Sequence, residues 1–202
     1  MHKRLAILAT AWVGLSVAAA MAQAAPQRHI RGTIQTVGAN SLTIATRDGQ
    51  TVTVALKQPL TVATVKRLDI SAIRSGTFIG TAARPGPNGK LVAMEVVVFP
   101  ESLRGTGEGN YAWDLAPGAS MVNANISALV KNSAGRDLTL SYKGGSAKVV
   151  VPPDVPIVEP VPAQRSDLKR GVPVFLTPTR AADGSLSTAR VIVGKDGVAP
   201  PM

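Results

Sequence analysis

The sequence predicts an all-β fold. Three observations carry that expectation: apolar and polar residues alternate along most of the chain, turn dipeptides punctuate the alternation, and the second half repeats the first. The segment "IRGTIQTVGANSLTIATRDGQTVTVAL" alternates with a period of two and turns at Asp48-Gly49, the pair a positive-φ hairpin turn favours. "ISALVKNSAGRDLTLSYKGGSAKVVV" repeats it and turns at Gly144-Gly145. Val130, Leu138, Thr139, Leu140, Gly145 and Val150 stand where the first half has Ile34, Leu42, Thr43, Ile44, Gly49 and Val54, at a constant separation. Further along, Gly76, Gly89, Leu91, Val96 and Val98 meet Gly171, Gly184, Leu186, Val191 and Val193 at a separation one residue shorter, so one net deletion divides the halves. Such self-similarity marks a duplicated supersecondary unit.

Each unit reads as a hairpin, a less regular stretch, and a second hairpin turned by Asn88-Gly89 in one copy and Asp183-Gly184 in the other. Between the hairpins lie "KRLDISAIRSG" and "QRSDLKRG", where Asp69 or Ser166 is expected to cap one short helical turn and the next glycine to end it. Regularly spaced strands with a single short helix point to a small closed or partly open barrel of OB-like type. The expected organisation is therefore two tandem small OB-like β-barrels at 25–99 and 122–195, a Gly-rich connector at 100–121 and a C-terminal tail at 196–202. About 70 residues is marginal for an isolated core, so the copies should pack against one another.

At the N-terminus, Met-His-Lys-Arg precedes an apolar stretch from Leu5 to Met21, and Ala22-Gln23-Ala24 supplies small residues for cleavage. This predicts a signal peptide over 1–24 and a periplasmic or secreted protein. A membrane span needs about 20 apolar residues, and Gly14, Ser16 and the alanine-rich end weaken that alternative; nothing later in the chain is apolar enough to cross. Export permits disulfides, yet the chain has no cysteine. Packing alone must hold the fold.

"GTGEGNYAWDLAPGASMVNANI", from Gly105 to Ile126, departs from the alternating pattern. Its candidate connector or ligand-loop residues are Glu108, Asn110, Tyr111, Trp113, Asp114, Asn123 and Asn125. Glycine supplies conformational freedom and Pro117-Gly118 a turn, so its first expected role is to connect the repeats. Tyr111 and Trp113 are expected to pack in the groove between the barrels, the indole N–H on a backbone acceptor. A sugar- or peptide-binding platform would share that groove. A ligand site requires the oxygens of the segment to converge, whereas a connector lets them point to water.

Composition argues against several chemistries. A transition-metal site wants several His or Cys ligands, and the chain beyond residue 24 offers only His29, expected at the surface of a first strand. Glu101, Glu108, Asn110 and Asp114 lie close together but match no EF-hand spacing. A nucleophile needs an adjacent base, and no spacing singles out a pair; Glu95 and Asp69 are expected to be solvated or capping. The expectation is no enzyme, no cofactor and no metal. Twenty-two Lys/Arg against twelve Asp/Glu give a net charge of +10, which favours adhesion to polyanions. Single-strand nucleic-acid binders stack bases on aromatics, whereas Phe78, Phe99, Tyr111, Trp113, Tyr142 and Phe175 alternate with no basic stripe. The charge therefore predicts an anionic envelope polymer or lipid surface as partner and no nucleic acid. No basic run exceeds two residues, and a dispersed basic surface equally serves solubility.

Four stretches carry a resemblance: Gly32-Thr33-Ile34, the hairpin from Leu42 to Val52, the step from Leu68 to Gly80, and the closing strand from Gly89 to Glu101. In these, and through "RGTGEGNYAWDL", "MVNANI" and "KDGVAPPM", the chain resembles a family of secreted Gram-negative bacterial proteins built on a small OB-like domain of unknown function. The shared positions are turn and core residues, so the resemblance implies a fold and not a chemistry. Members sometimes carry a metal-transporter permease label, which conflicts with a chain lacking a span. They have histidine where Asn110 stands and threonine where Val122 stands, so a function of that histidine would be lacking here. The function expected is a non-catalytic periplasmic or secreted envelope and interaction module; the alternative is a periplasmic small-ligand or cation-binding accessory to transport.

Overall fold

Alternation becomes strand along most of the chain. The computed structural model describes residues 29–132 and 135–201; the expected signal peptide at 1–24, the start of the first repeat at 25–28 and Met202 lie outside the described residues. The strands are β1 (Ile30–Val37), β2 (Ser41–Thr46), β3 (Thr51–Arg67), β4 (Phe78–Pro85), β5 (Leu91–Ala93), β6 (Val96–Val98) and β7 (Gly109–Ala112). They continue as β8 (Ser120–Asn132), β9 (Gly135–Tyr142), β10 (Gly145–Val151), β11 (Ile157–Ala163), β12 (Pro173–Leu176), β13 (Thr179–Arg180) and β14 (Leu186–Val193). Only single 3-10 turns interrupt them among the described residues, so the fold is all-β as predicted.

The strand pairings close two rings, and each ring takes strands from both halves of the sequence. In the first, β1, β2 and β3 form an antiparallel meander. It is closed by β12, antiparallel to β1, and by β14, which pairs with β12 and lies parallel to β3. In the second, the meander β8, β9, β10 is closed by β4, antiparallel to β8, and by β5, which pairs with β4 and lies parallel to β10. Each closing hairpin has thus crossed to the other repeat's meander, an exchange of equivalent elements within one chain. Backbone bonds repeat the crossing on both sides. Gly171 donates to the Ile34 carbonyl at 2.8 Å, and Gly76 donates to the Ile126 carbonyl at 2.8 Å.

The expected boundaries at 25–99 and 122–195 therefore mark repeats in sequence and not rings in space. The crossing occurs where β3 runs antiparallel to β11, with Val65 opposite Pro160. Each ring has its own core. Ile34, Leu42, Ile44 and Val54 pack with Val174, Leu176 and Val191 in one; Ile126, Leu138, Leu140 and Val149 pack with Ile79 and Val96 in the other. A third cluster, including Ala63, Val65, Val97, Val158, Phe175 and Ile192, fills the junction.

The registers revise the expected alignment. Ile34 faces Ile44 and is fully buried, and the residue in that role in the second repeat is Ile126, opposite Leu140. Val130, which the constant separation matched to Ile34, is 61% exposed. β8 runs on beyond its bulge where β1 stops early, so the two meanders differ in the reach of their first hairpin. The second hairpin is tighter in the later copy: β9 and β10 are joined through Lys143-Gly144, with the positive φ at Gly144 (φ 92°) and Gly145 already in strand. Val149, opposite Leu138, consequently takes the place of Val54, opposite Leu42, that Val150 was expected to hold.

The remaining predicted turns fall where expected. Asp48 accepts from the Thr46 hydroxyl beside Gly49 (φ 81°), Asn88 and Gly89 are both at positive φ, and Asp183 Oδ1 accepts from Ser185 N at 2.9 Å beside Gly184 (φ 83°). Asp69 caps Ile70–Ala72 through Ser71 N at 2.7 Å. Ser166 does not cap: it lies inside the turn Arg165–Asp167, where Gln164 and Asp167 bond reciprocally. The reciprocal bonds of Gln164, two residues before it, and Asp167, one after, leave Ser166 no orphan donor to satisfy.

Candidate functional site

A groove of about 220 Å³ opens at the junction of the two rings, between β4, β6, β7 and β8 on one side and β11, β12 and β14 on the other. Its walls include Val97, Phe99, Trp113, Met121, Leu176 and Ile192. The repeats differ at one matched pair beside it. In the first ring Arg31 on β1 stands opposite Phe175 on β12, its guanidinium carbon 5.4 Å from that ring's centroid and 5.8 Å from that of Trp113. The matching pair in the second ring is Asn123 on β8 opposite Gly80 on β4. A Cβ on Gly80 would stand 2.5 Å from Asn123 Oδ1 and 3.0 Å from the Phe99 ring. Phenylalanine stands on one side of the junction, and on the other glycine makes room for the Asn123 amide and the Phe99 ring.

Asn123 is 7% exposed. Its Nδ2 donates to the Thr106 carbonyl at 3.1 Å and to the Tyr111 hydroxyl at 3.2 Å. A carbonyl only accepts, so this bond fixes which end of the amide is nitrogen. Oδ1 is then a buried acceptor without a partner, and the indole Nε1–H of Trp113 is likewise buried and unpartnered. Over this amide passes Gly107 (φ 58°), where a Cβ would meet Asn123 Nδ2 at 3.0 Å and the Tyr111 oxygen at 3.2 Å. Both the positive φ and the close approach call for glycine.

Trp113 is positioned from the opposite side. The His29 ring centroid lies 4.0 Å from that of Trp113, and 5.6 Å from that of Phe175 at an interplanar angle of 16°. Asp114 holds this stack: its Oδ2 accepts from His29 N at 2.8 Å, and its Oδ1 meets His29 Nδ1 at 2.9 Å and Arg31 Nη1 at 2.8 Å. Burial pushes the imidazole below its usual range, outweighing the raising effect of Asp114. Burial alone would raise the Asp114 carboxyl; the hydrogen bonds from the His29 backbone, Arg31 and the His29 ring outweigh it and hold the group below its usual range. Desolvation raises the Tyr111 phenol, which keeps its proton and remains a donor at neutral pH.

Of the residues singled out in sequence, the structure brings Tyr111, Trp113 and Asn123 to the groove. The others separate. Glu108 Oε1 accepts from Lys143 N at 3.0 Å, Asn110 is exposed on β7, and Asn125 Oδ1 accepts from Arg104, itself paired with Glu101 at 2.6 Å. The oxygens do not converge, and among the described residues no group of three or more His, Asp or Glu could hold a metal ion. The connector also contributes more than a link, because Gly109–Ala112 pairs with β8 as a strand. Trp113 docks at the junction as expected while its indole finds no acceptor, and Tyr111 is 41% exposed. His29 is not a surface residue: its side chain is 10% exposed. Glu95, expected to be solvated, is buried at 4%, and its backbone carbonyl accepts from the Thr81 hydroxyl at 2.7 Å.

Arg31, Gly80, Thr106 and Gly107 escaped sequence reasoning. The signal for the first two lay in the repeat itself, which in the observed register sets Arg31 beside Asn123 and Phe175 beside Gly80, unlike residues at like positions. No protein-family model, no curated protein and no solved structure matches the chain. Among the described residues no helix is long and apolar enough to cross a membrane.

Proposed function

We propose that the chain is a non-catalytic binding module of the periplasm or the secreted space, built of two OB-like barrels that exchange their closing hairpins. The observation that carries this reading is the junction groove, whose apolar walls of Val97, Phe99, Trp113, Met121 and Ile192 the fold leaves uncovered. A concave, mostly apolar recess carrying a few polar groups is the usual form of a small-ligand site, which favours an interaction site here. The described lining residues include no carboxylate, histidine or cysteine, which favours recognition over chemistry. Thermal unfolding against a panel of small amides, sugars and short peptides tests it, since a ligand that binds only the native state raises the midpoint. A saturable rise lost in a variant at Asn123 supports the module, and no rise with any member contradicts it.

A second reading, adhesion to anionic envelope polymer or lipid, is favoured by the surface. Every described lysine and arginine except Arg31, Lys90 and Arg136 is exposed. Attraction of this kind is screened by salt, with a Debye length of about 10 Å at 0.1 M. Co-sedimentation with anionic vesicles should therefore be strong at low salt and lost at high salt; binding indifferent to salt would contradict it. The cation-binding accessory draws less support, because Glu108, Asp114 and Asn125 each already hold a partner inside the fold.

A further inference from the structure

A recess of about 380 Å³ in the second ring is walled by Arg74 and Ser75 from the first half of the chain and by Lys131 and Arg136 from the second, over Ile73 and Leu129. Its charged lining residues are all cations. Lys131 on β8 stands directly opposite Arg136 on β9, a placement in which like charges repel. The pair Leu129 and Leu138 matches Val37 and Leu42, where β1 ends, so Lys131 and Arg136 lie in the stretch by which β8 outruns β1. The two guanidinium groups are held alike. Arg136 Nε donates to the Ile70 carbonyl at 3.0 Å and Arg74 Nε to the Ser71 carbonyl at 3.1 Å, so one helical turn fixes both. Their Nη groups have no partner among the described residues. Arg136 is 7% exposed, yet its Nη atoms are not enclosed. The neighbouring carboxylates are engaged elsewhere. Asp137 alternates to the other face of β9 and pairs with Lys90 at 2.8 Å. Asp69 accepts from Ser71 N at 2.7 Å; the Ser71 hydrogen bonds chiefly, and the Arg136 charge in smaller part, hold its carboxyl below the usual range.

We infer that Arg74, Lys131 and Arg136 form a binding site for a phosphate monoester group, free in solution or carried on a lipid. Three cations against the one nearby carboxylate, Asp69, leave an excess of two charges, and a phosphate monoester carries about two at neutral pH. Its three terminal oxygens offer each cation an acceptor, and a guanidinium fork matches phosphate geometry. A carboxylate brings two oxygens and one charge, which would leave the pairing incomplete. A mostly buried arginine is ordinarily paired, whereas Arg136 has only a neutral carbonyl. The site needs neither the junction groove nor general adhesion to a surface, but it does need the exchange of hairpins, since Arg136 reaches Ile70 across the two halves. In the first ring the bond runs the other way. There Arg165 in the turn donates to the Gly38 and Ala39 carbonyls, and Asn40 stands in the place of Arg136. The cationic pair is therefore particular to the second ring.

The test uses the full chain, isotopically labelled, titrated at neutral pH and constant ionic strength with inorganic phosphate, glycerol 3-phosphate and acetate. Both phosphates should shift the Nε–H resonances of Arg74 and Arg136 saturably. Acetate should bind about tenfold more weakly, the loss expected for one charge-assisted hydrogen bond. Lys131→Gln, at an exposed position, should weaken phosphate binding by about the same factor. Lys57→Gln removes an equal charge from an exposed position on β3 outside the recess and should leave it unchanged. Vesicles of matched surface charge distinguish the two sources. A preference for phosphatidic acid over the diester phosphatidylglycerol, lost in Lys131→Gln, identifies a lipid monoester; equal binding to both, with the soluble phosphates still bound, identifies a soluble one. Acetate binding as well as phosphate overturns the phosphate assignment. No saturable shift with phosphate, or an equal loss in the two variants, overturns the site and leaves only dispersed charge. General adhesion fails separately, by vesicle binding indifferent to salt.

Discussion

Trp113 connects the groove to the stability of the fold. It packs on the junction cluster and under the His29 ring while remaining partly exposed. Complete burial of a tryptophan is worth about 3 to 5 kcal/mol on truncation, so a partly exposed one should cost about 2 kcal/mol as Trp113→Ala. Denaturant unfolding followed by circular dichroism measures this; a cost near zero would contradict the docking. Its emission should be blue-shifted relative to an indole in water. His29 and Asp114 make stability depend on pH, and with the same sign. Each is held below its ordinary value, 6.5 for the imidazole and 3.8 for the carboxyl. The unfolded chain therefore binds more protons, and stability falls with acidification. The His29 contribution is complete above pH 6.5 and is lost as pH drops through its lowered folded value; the Asp114 contribution is complete above 3.8 and is lost below its own. A series of melting temperatures from neutral to acid should fall in two stages, and His29→Gln should remove the first. A flat profile would contradict the buried assignment.

At the scale of elements, the prediction concerns register. Ile126 is 2% exposed and pairs with Leu140, whereas Val130, further along the same strand, is 61% exposed. Ile126→Ala should cost about 2 to 5 kcal/mol, and Val130→Ala about 0.5 kcal/mol or less. The opposite order, measured by denaturant titration, would restore the alignment of Val130 with Ile34. Strands and turns were legible because each rests on a local rule. One buried face dictates alternation through Leu42, Ile44 and Val54, and positive φ at Gly49 and Gly184 dictates glycine. Register was less legible, because an extension within β8 leaves the alternation intact while moving every later residue. The site was read in part. Tyr111, Trp113 and Asn123 stood out as aromatics and an amide in a glycine-rich stretch, whereas Arg31 and His29 look like solvated strand residues until Trp113 and Phe175 are seen against them.

The whole molecule is defined by the exchange of closing hairpins, and no local rule could have disclosed it. The two meanders offer the same kind of apolar edge, with Ile34, Leu42 and Ile44 in one and Ile126, Leu138 and Leu140 in the other. A hairpin that fits one fits both, and periodicity does not say which it joins. What decides is the path between. β3 continues without a break past Pro59 to Arg67 and crosses β11 at Val65 and Pro160, delivering β4 to the far ring and β12 to the near one. The groove follows, because only this crossing brings β4 and β8 of one ring beside β12 and β14 of the other. The exchange also makes each half depend on the other for closing strands. Fragments 29–104 and 105–201, prepared separately, test this most directly. Each alone should give the poorly dispersed proton–nitrogen spectrum of an unfolded chain, and mixing them in equal amounts should restore the dispersed spectrum of the intact protein. Either fragment folding by itself as a monomer, with a native-like spectrum, would contradict that dependence.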